Sequence, residues 1–272
     1  MASGESSPAC PACGASNRHT SRFCRKCGVP LAPREHAVDA SASSPPSIPA
    51  PESRRSLRRV ERLWREFASI AWLFGLLLGT SVVGVVVNTC VEGQSVLIDA
   101  ILAAVDAVIV VVFVVRGASL VKPYLVRVGL GPRQAIELLL GFVVMAGIIS
   151  AYFEVAEAIG IPVVQFLPDY VAQGWPLWSA YVLIAVMPAV FEELAFRGYI
   201  LAQLDRWLRP GEALFVQAAL FSVLHVSVAV FLSHFIMGLG LGLLRRRTHS
   251  LYPGMLAHGC WNAWVVTAEL LG

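Results

Sequence analysis

Apolar and polar positions divide this chain into two unlike parts. Up to about residue 66, polar, charged, Pro and Ser residues dominate; beyond it, long apolar blocks alternate with short polar breaks. The blocks lie at about 69–91, 95–115, 134–157, 178–203, 212–226, 227–244 and 251–271. A helix needs about 20 apolar residues to cross a hydrocarbon core of about 30 Å, and only helices or closed barrels satisfy their backbone there. The pattern predicts an all-α polytopic membrane protein over residues 67–272, a bundle of about seven to eight transmembrane helices. The fifth and sixth blocks meet at His225–Ser227 with almost no loop.

Composition agrees. Of 272 residues, 57% are hydrophobic and 14% charged, with a mean hydropathy of +0.68, whereas soluble domains are about a quarter charged. A formal net charge of +3 makes no case for nucleic acid as a partner, so membrane lipid is the expected surrounding. The positions of the charges say more. Arg116, Lys122, Arg127 and Arg133 follow the second block, Arg206 and Arg209 the fourth, and Arg245, Arg246 and Arg247 the sixth. The intervening breaks carry Glu92, Glu157 and Asp169 and no Lys or Arg. With Arg54, Arg55, Arg58, Arg59, Arg62 and Arg65 ahead of the first block, the positive-inside rule predicts an integral membrane protein with a cytoplasmic N-terminus. Residues 1–30 hold no apolar stretch of a cleaved signal, so the first block is expected to insert uncleaved.

Residues 1–32 have their own signature. Cys10-Pro-Ala-Cys13-Gly and Cys24-Arg-Lys-Cys27-Gly offer four thiolates in two knuckles, and the Gly after each pair permits a tight turn. Such spacing predicts a zinc ribbon whose metal is held by Cys10, Cys13, Cys24 and Cys27; disulfides, the rival reading, do not suit a cytosolic compartment. His19, between the knuckles, reads as a loop residue. A closed four-sulfur site has no open coordination position, so the ribbon brings no chemistry, and a protein partner is its expected use. Residues 33–66 form a Pro/Ser-rich linker followed by the basic juxtamembrane segment.

Chemistry is carried by ionisable groups inside apolar blocks, where each costs roughly 2.5–3.5 kcal/mol at a helix centre. The fourth block holds Glu192, Glu193 and Arg197. On a helix Glu193 and Arg197 are i,i+4 neighbours and pair, while Glu192 is turned about 100° away and is left to act as a general base. The structural alternative is that these charges glue helices or reach the interface, with Arg197 snorkelling. Two further blocks add polar groups: His225 ends the fifth, and His258 and Asn262 share a face of the seventh. Glu, two His and Asn make a complete set for amide hydrolysis, with Glu192 and His225 activating water and His258 and Asn262 stabilising the oxyanion.

The stretch Glu192-Glu-Leu-Ala-Phe-Arg197-Gly, then Phe221-x-x-x-His225, then His258-x-x-x-Asn262, resembles the three motifs of the CPBP family, the CAAX proteases and bacteriocin-processing enzymes also called Abi or Rce1-like. The resemblance covers about residues 178–270. It implies intramembrane endopeptidase activity on a membrane-associated peptide or protein, with a site open to the cytoplasm. It also implies Glu192 as the water-activating base, Glu193 paired with Arg197, and His225, His258 and Asn262 completing the site.

Metal use stays open. Glu192, His225 and His258 are a recognisable catalytic zinc set, and they serve equally as a metal-free glutamate and histidine site. A non-catalytic scaffold or immunity protein of the same fold, using the ribbon to bind a partner, is the alternative function. Among the other polar residues, Asp99 and Asp106 read as helix-pairing groups and His234 as a bundle contact. Gly238, Gly240 and Gly242 read as places where helices approach closely, and Pro188 as a kink just before the glutamates.

Overall fold

In a computed structural model, residues 9–17, 23–29, 31, 52–90, 95–127, 131–161 and 165–271 are described. The linker expected at 33–53 lies almost wholly outside them, as does His19. The chain separates into two compact units, residues 1–53 and 54–272.

In the N-terminal unit, the described residues contain one isolated bridge, Ala9 with Ser16, and two matching turns. Cys10 N–H donates to Ala15 O and Gly14 N–H to Cys10 O; Cys24 N–H donates to Val29 O and Gly28 N–H to Cys24 O. Gly14 and Gly28 adopt φ of 69° and 75°, a left-handed conformation that any other residue would resist.

The described residues of the second unit form helices joined by short turns. In chain order its helices are α1 (Glu52–Cys90), α2 (Val96–Arg116), α3 (Ala118–Leu125), α4 (Pro132–Ala158), α5 (Leu167–Ala172), α6 (Leu177–Leu204), α7 (Pro210–Leu224), α8 (Val228–Thr248) and α9 (Tyr252–Leu271). Among the described residues five helices are long and apolar enough to cross a membrane: Trp64–Cys90 of α1, α2, Ala135–Ala158 of α4, α6 and α8. The seven blocks read from sequence thus map onto five such helices, the shorter α7 and α9. At 15 residues α7 is about 22 Å long, less than a hydrocarbon core. Helix α9 has 20 residues, but His258, Asn262, Thr267 and Glu269 interrupt its apolar run. The basic segment ahead of the first block is helical and continuous with it, since α1 starts at Glu52.

Outward faces are apolar as well as the core. Val86, Val108, Leu139, Val143 and Val155 are exposed, as expected where lipid is the solvent, while Leu73, Phe196, Ile200, Phe221, Met237 and Leu241 are buried. Helix α8 folds back on α7, and a Cβ on Gly238 would come within 2.9 Å of the Ala218 Cα, so glycine is what lets these two backbones meet. The reversal between them takes three residues, and Val226 stands at φ 48° within it. A β-branched residue there is strained, which places a stiff, costly turn directly after His225.

Ion pairs gather the basic breaks at one end of the bundle. Arg206 reaches Glu66 of α1 at 3.0 Å, and Arg245 and Arg246 grip Asp205 at 2.9 and 2.5 Å. Arg245 also stacks on Tyr124, and Ser250 Oγ donates to Arg127 O at 2.5 Å. At the other end, Glu269 accepts the backbone N–H groups of Phe166 and Leu167, and Gln173 accepts that of Val96. The breaks that sequence put on one side are therefore tied to one another.

Candidate active site

The four cysteines form one candidate metal centre. Their sulfurs all lie within 4.8 Å of one another, with Cys10–Cys27 and Cys13–Cys24 each at 3.6 Å. Tetrahedral zinc with Zn–S bonds of about 2.3 Å has S···S edges of about 3.8 Å, so the donor set fits a metal ion and is too open for disulfides. The backbone N–H groups of Cys27 and Lys26 aim at Cys24 and hold its thiol down at about 6, ready to ligate as thiolate. Asn17 Nδ2 adds a further contact to Cys24 Sγ at 3.7 Å.

The second site is built around α6. Its turns at Tyr181–Val186 and Glu193–Ile200 are π-helical, flanking an α-helical stretch at Met187–Glu192; π-bulges of this kind recur at functional sites. Pro188 is part of the cause. It has no N–H to give the carbonyl of Ile184 four residues back. Asn262 of α9 supplies the missing donor, its Nδ2 lying 2.9 Å from Ile184 O.

Glu193 and Arg197 pair as their spacing predicts, Oε1 to Nη1 at 2.8 Å, with side chains 1% and 0% exposed. Arg197 also lies over Phe221, Cζ 4.1 Å from the ring centre. His258 of α9 joins them: its Nδ1 is 3.2 Å from Glu193 Oε1. An ionised carboxylate only accepts, so His258 donates from Nδ1 to Glu193, and Nε2 is the nitrogen left for its other side. That nitrogen faces Glu192 Oε2 at 3.8 Å. The gap is too long for a direct hydrogen bond. Glu192 is 23% exposed where Glu193 is 1%, so of the two adjacent glutamates it is the less enclosed, although its Oε2, the oxygen turned to His258, is itself buried. Gly254 makes room for this cluster, since a Cβ there would sit 2.8 Å from Glu193 Oε2.

His225 enters through Phe221. Its Nδ1 donates to Phe221 O at 2.9 Å and its ring contacts the Phe221 ring edge-on, while the Phe221 and His258 centroids are 6.0 Å apart. The imidazole facing Glu192 is thus that of His258, and the contacts of His225 run to Phe221 and His234. His234, a bundle contact by its sequence position, lies with its ring 3.8 Å from that of His225, centroid to centroid, and its Nδ1 donates to Val230 O. The one available signal was its place in the first turns after so short a reversal. Among the described residues, only the four cysteines form a group of three or more His, Cys, Asp or Glu donors close enough to share an ion; Glu192, His225 and His258 do not. A cavity of about 80 Å³ opens beside Glu192, walled by Leu77, Asp106, Pro188, Phe191 and Leu224 among others.

No curated protein and no solved structure matches the chain. Residues 174–264, which hold Glu192, Glu193, Arg197, His225, His258 and Asn262 but neither the cysteines nor Asp106, match the family described as Type II CAAX prenyl endopeptidase Rce1-like.

Proposed function

We propose that this protein is an intramembrane endopeptidase that hydrolyses a peptide bond in a membrane-associated protein or peptide presented from the cytoplasmic side. The observation that carries the reading is the approach of Glu192 Oε2 to His258 Nε2 at 3.8 Å, the imidazole being fixed from behind by buried Glu193. Water held between them gives its proton to Glu192 as its oxygen attacks the scissile carbonyl, and Glu192 passes that proton to the leaving nitrogen. The Glu193–Arg197 pair holds the tautomer of His258. Asn262 spends one N–H on Ile184 and has a second to offer the oxyanion. His225 completes the site across Phe221. This chemistry needs no metal, in keeping with the separation of Glu192, His225 and His258. Zinc in the cysteine cluster is structural, and the basic end of the bundle faces the cytoplasm with the N-terminus.

Proteomics of membranes expressing wild type or Glu192→Gln tests the reading. The variant should accumulate uncut substrates, and turnover of an identified peptide should fall by about 10²–10⁴-fold. Identical peptide profiles would sink the hydrolase. The cysteine cluster favours a second reading, a scaffold that recruits a partner; it predicts that Cys24→Ser, rather than Glu192→Gln, removes the phenotype.

A further inference from the structure

Helices α4 and α8 leave a cavity of about 320 Å³ between them, apart from the one beside Glu192. Its lining runs from Glu137 to Ile148 on α4 and from Arg247 to Ile236 on α8. Eleven residue steps on each helix make a slot about 16 Å long, close to half of a hydrocarbon core of about 30 Å. The slot therefore spans about one leaflet, starting at the end of the bundle where Arg245 and Arg246 hold Asp205.

Polar and apolar groups are sorted along it. Glu137, Arg247 and Thr248 stand together at the basic end, and the rest of the lining is apolar or glycine. Thr248 spends its hydroxyl on Leu244 O at 2.9 Å. The charged groups are less committed. Arg247 Nη1 approaches Glu137 Oε2 at only 3.7 Å and is 72% exposed. Arg133, one turn earlier on α4 and 93% exposed, takes the other oxygen at 3.2 Å. Two guanidinium groups against one carboxylate leave one positive charge over, at the end that meets the lipid headgroups. The bore is too narrow for a partner helix. Spread over its length, the volume gives a mean cross-section of about 20 Å², against about 80 Å² for a helix 10 Å across. A single hydrocarbon chain fits, and one whose other end is anionic answers the surplus charge at the mouth.

We propose that the slot between α4 and α8 is a binding site for an anionic phospholipid, one acyl chain lying in the slot and the phosphate on Arg247 and Arg133. Ala257 of α9, the residue before His258, also touches the slot, so a hydrophobic chain carried by the substrate is the rival occupant. Native mass spectrometry of the detergent-solubilised full-length protein, titrated with dioleoyl phosphatidylglycerol or dioleoyl phosphatidylcholine, reads the affinity for the first lipid bound. Phosphatidylglycerol should bind more tightly; equal affinities overturn the proposal. Arg247→Gln should weaken phosphatidylglycerol by about fivefold, one basic residue's share at an anionic surface, and spare phosphatidylcholine. Arg127→Gln removes a charge at the same end but outside the slot and should change nothing. A loss there equal to that of Arg247→Gln means diffuse attraction and overturns the site. A Cβ on Gly141 meets nothing within 4 Å, so Gly141→Leu grows into open space, and both lipids should then bind more weakly. Unchanged phosphatidylglycerol affinity in that variant overturns the proposal, and a raised KM for a peptide substrate alongside it gives the slot to the substrate.

Discussion

The buried Glu193–Arg197 pair invites a quantitative test. Both side chains are out of solvent, so removing either partner leaves a charge with no water to return to, at a cost of about 3–5 kcal/mol. The two single variants should differ. In Arg197→Met, Glu193 keeps the Nδ1–H of His258, which places the loss near the low end of that range. In Glu193→Gln, Arg197 keeps only an amide oxygen and the face of Phe221, which places it near the high end. For a chain of this size the losses correspond to roughly 6–20 °C in Tm. The double variant removes both charges together and should be more stable than Glu193→Gln alone, with a coupling of about 2–3 kcal/mol. Thermal melts of lipid-reconstituted protein followed by tryptophan fluorescence give all four corners of the cycle. Single losses below about 1 kcal/mol, or simple additivity, would refute the argument that these charges are held out of water by each other.

Three further outcomes follow from the same contacts. Asn262→Ala leaves the Ile184 carbonyl without its donor and should cost about 1–3 kcal/mol; Pro188→Ala returns a backbone N–H to that carbonyl, so in its background the Asn262→Ala cost should shrink, as a melt of each variant will read. Gly254→Ala drives a methyl toward Glu193 Oε2 and should lower Tm by an amount equivalent to about 1–3 kcal/mol, with peptide turnover falling alongside; a neutral result would mean that α9 does not pack this closely. Metal bound by the cysteine cluster should be lost as pH falls, because its ligands are thiolates and acid reprotonates them. Metal analysis of the full chain across pH follows that release, and Cys24→Ser should abolish binding, leaving peptide turnover as the separate readout of the membrane site.

What the sequence made legible was whatever depends on near neighbours. The Glu193–Arg197 pair follows from a four-residue offset, and the two cysteine knuckles from spacing and their glycines. The division between the two glutamates came from the same helical arithmetic, although π turns at Glu193–Ile200 alter the angles it assumed. Contacts between helices were not legible. Nothing in the order of residues says that His258 turns Nε2 to Glu192, or that Asn262 meets the carbonyl freed by Pro188, because these depend on how α9 lies against α6. Residues 212–226 read as a membrane block, yet α7 stops at Leu224, and the chain reverses through Val226 at a positive φ that no hydropathy pattern encodes.

Phe221 has a consequence for how this centre tolerates its own chemistry. One phenyl ring receives Arg197 on its face and lies next to His225, His234 and His258. Carbon and hydrogen do not titrate, so these four nitrogen-bearing groups keep their mutual spacing while protons come and go around them. A tyrosine at this position would add a hydroxyl competing for the imidazole lone pairs, and a leucine would lack the flat surface under the guanidinium. The ring works as an inert gauge block: it sets distances among reactive neighbours by taking no part in what they exchange.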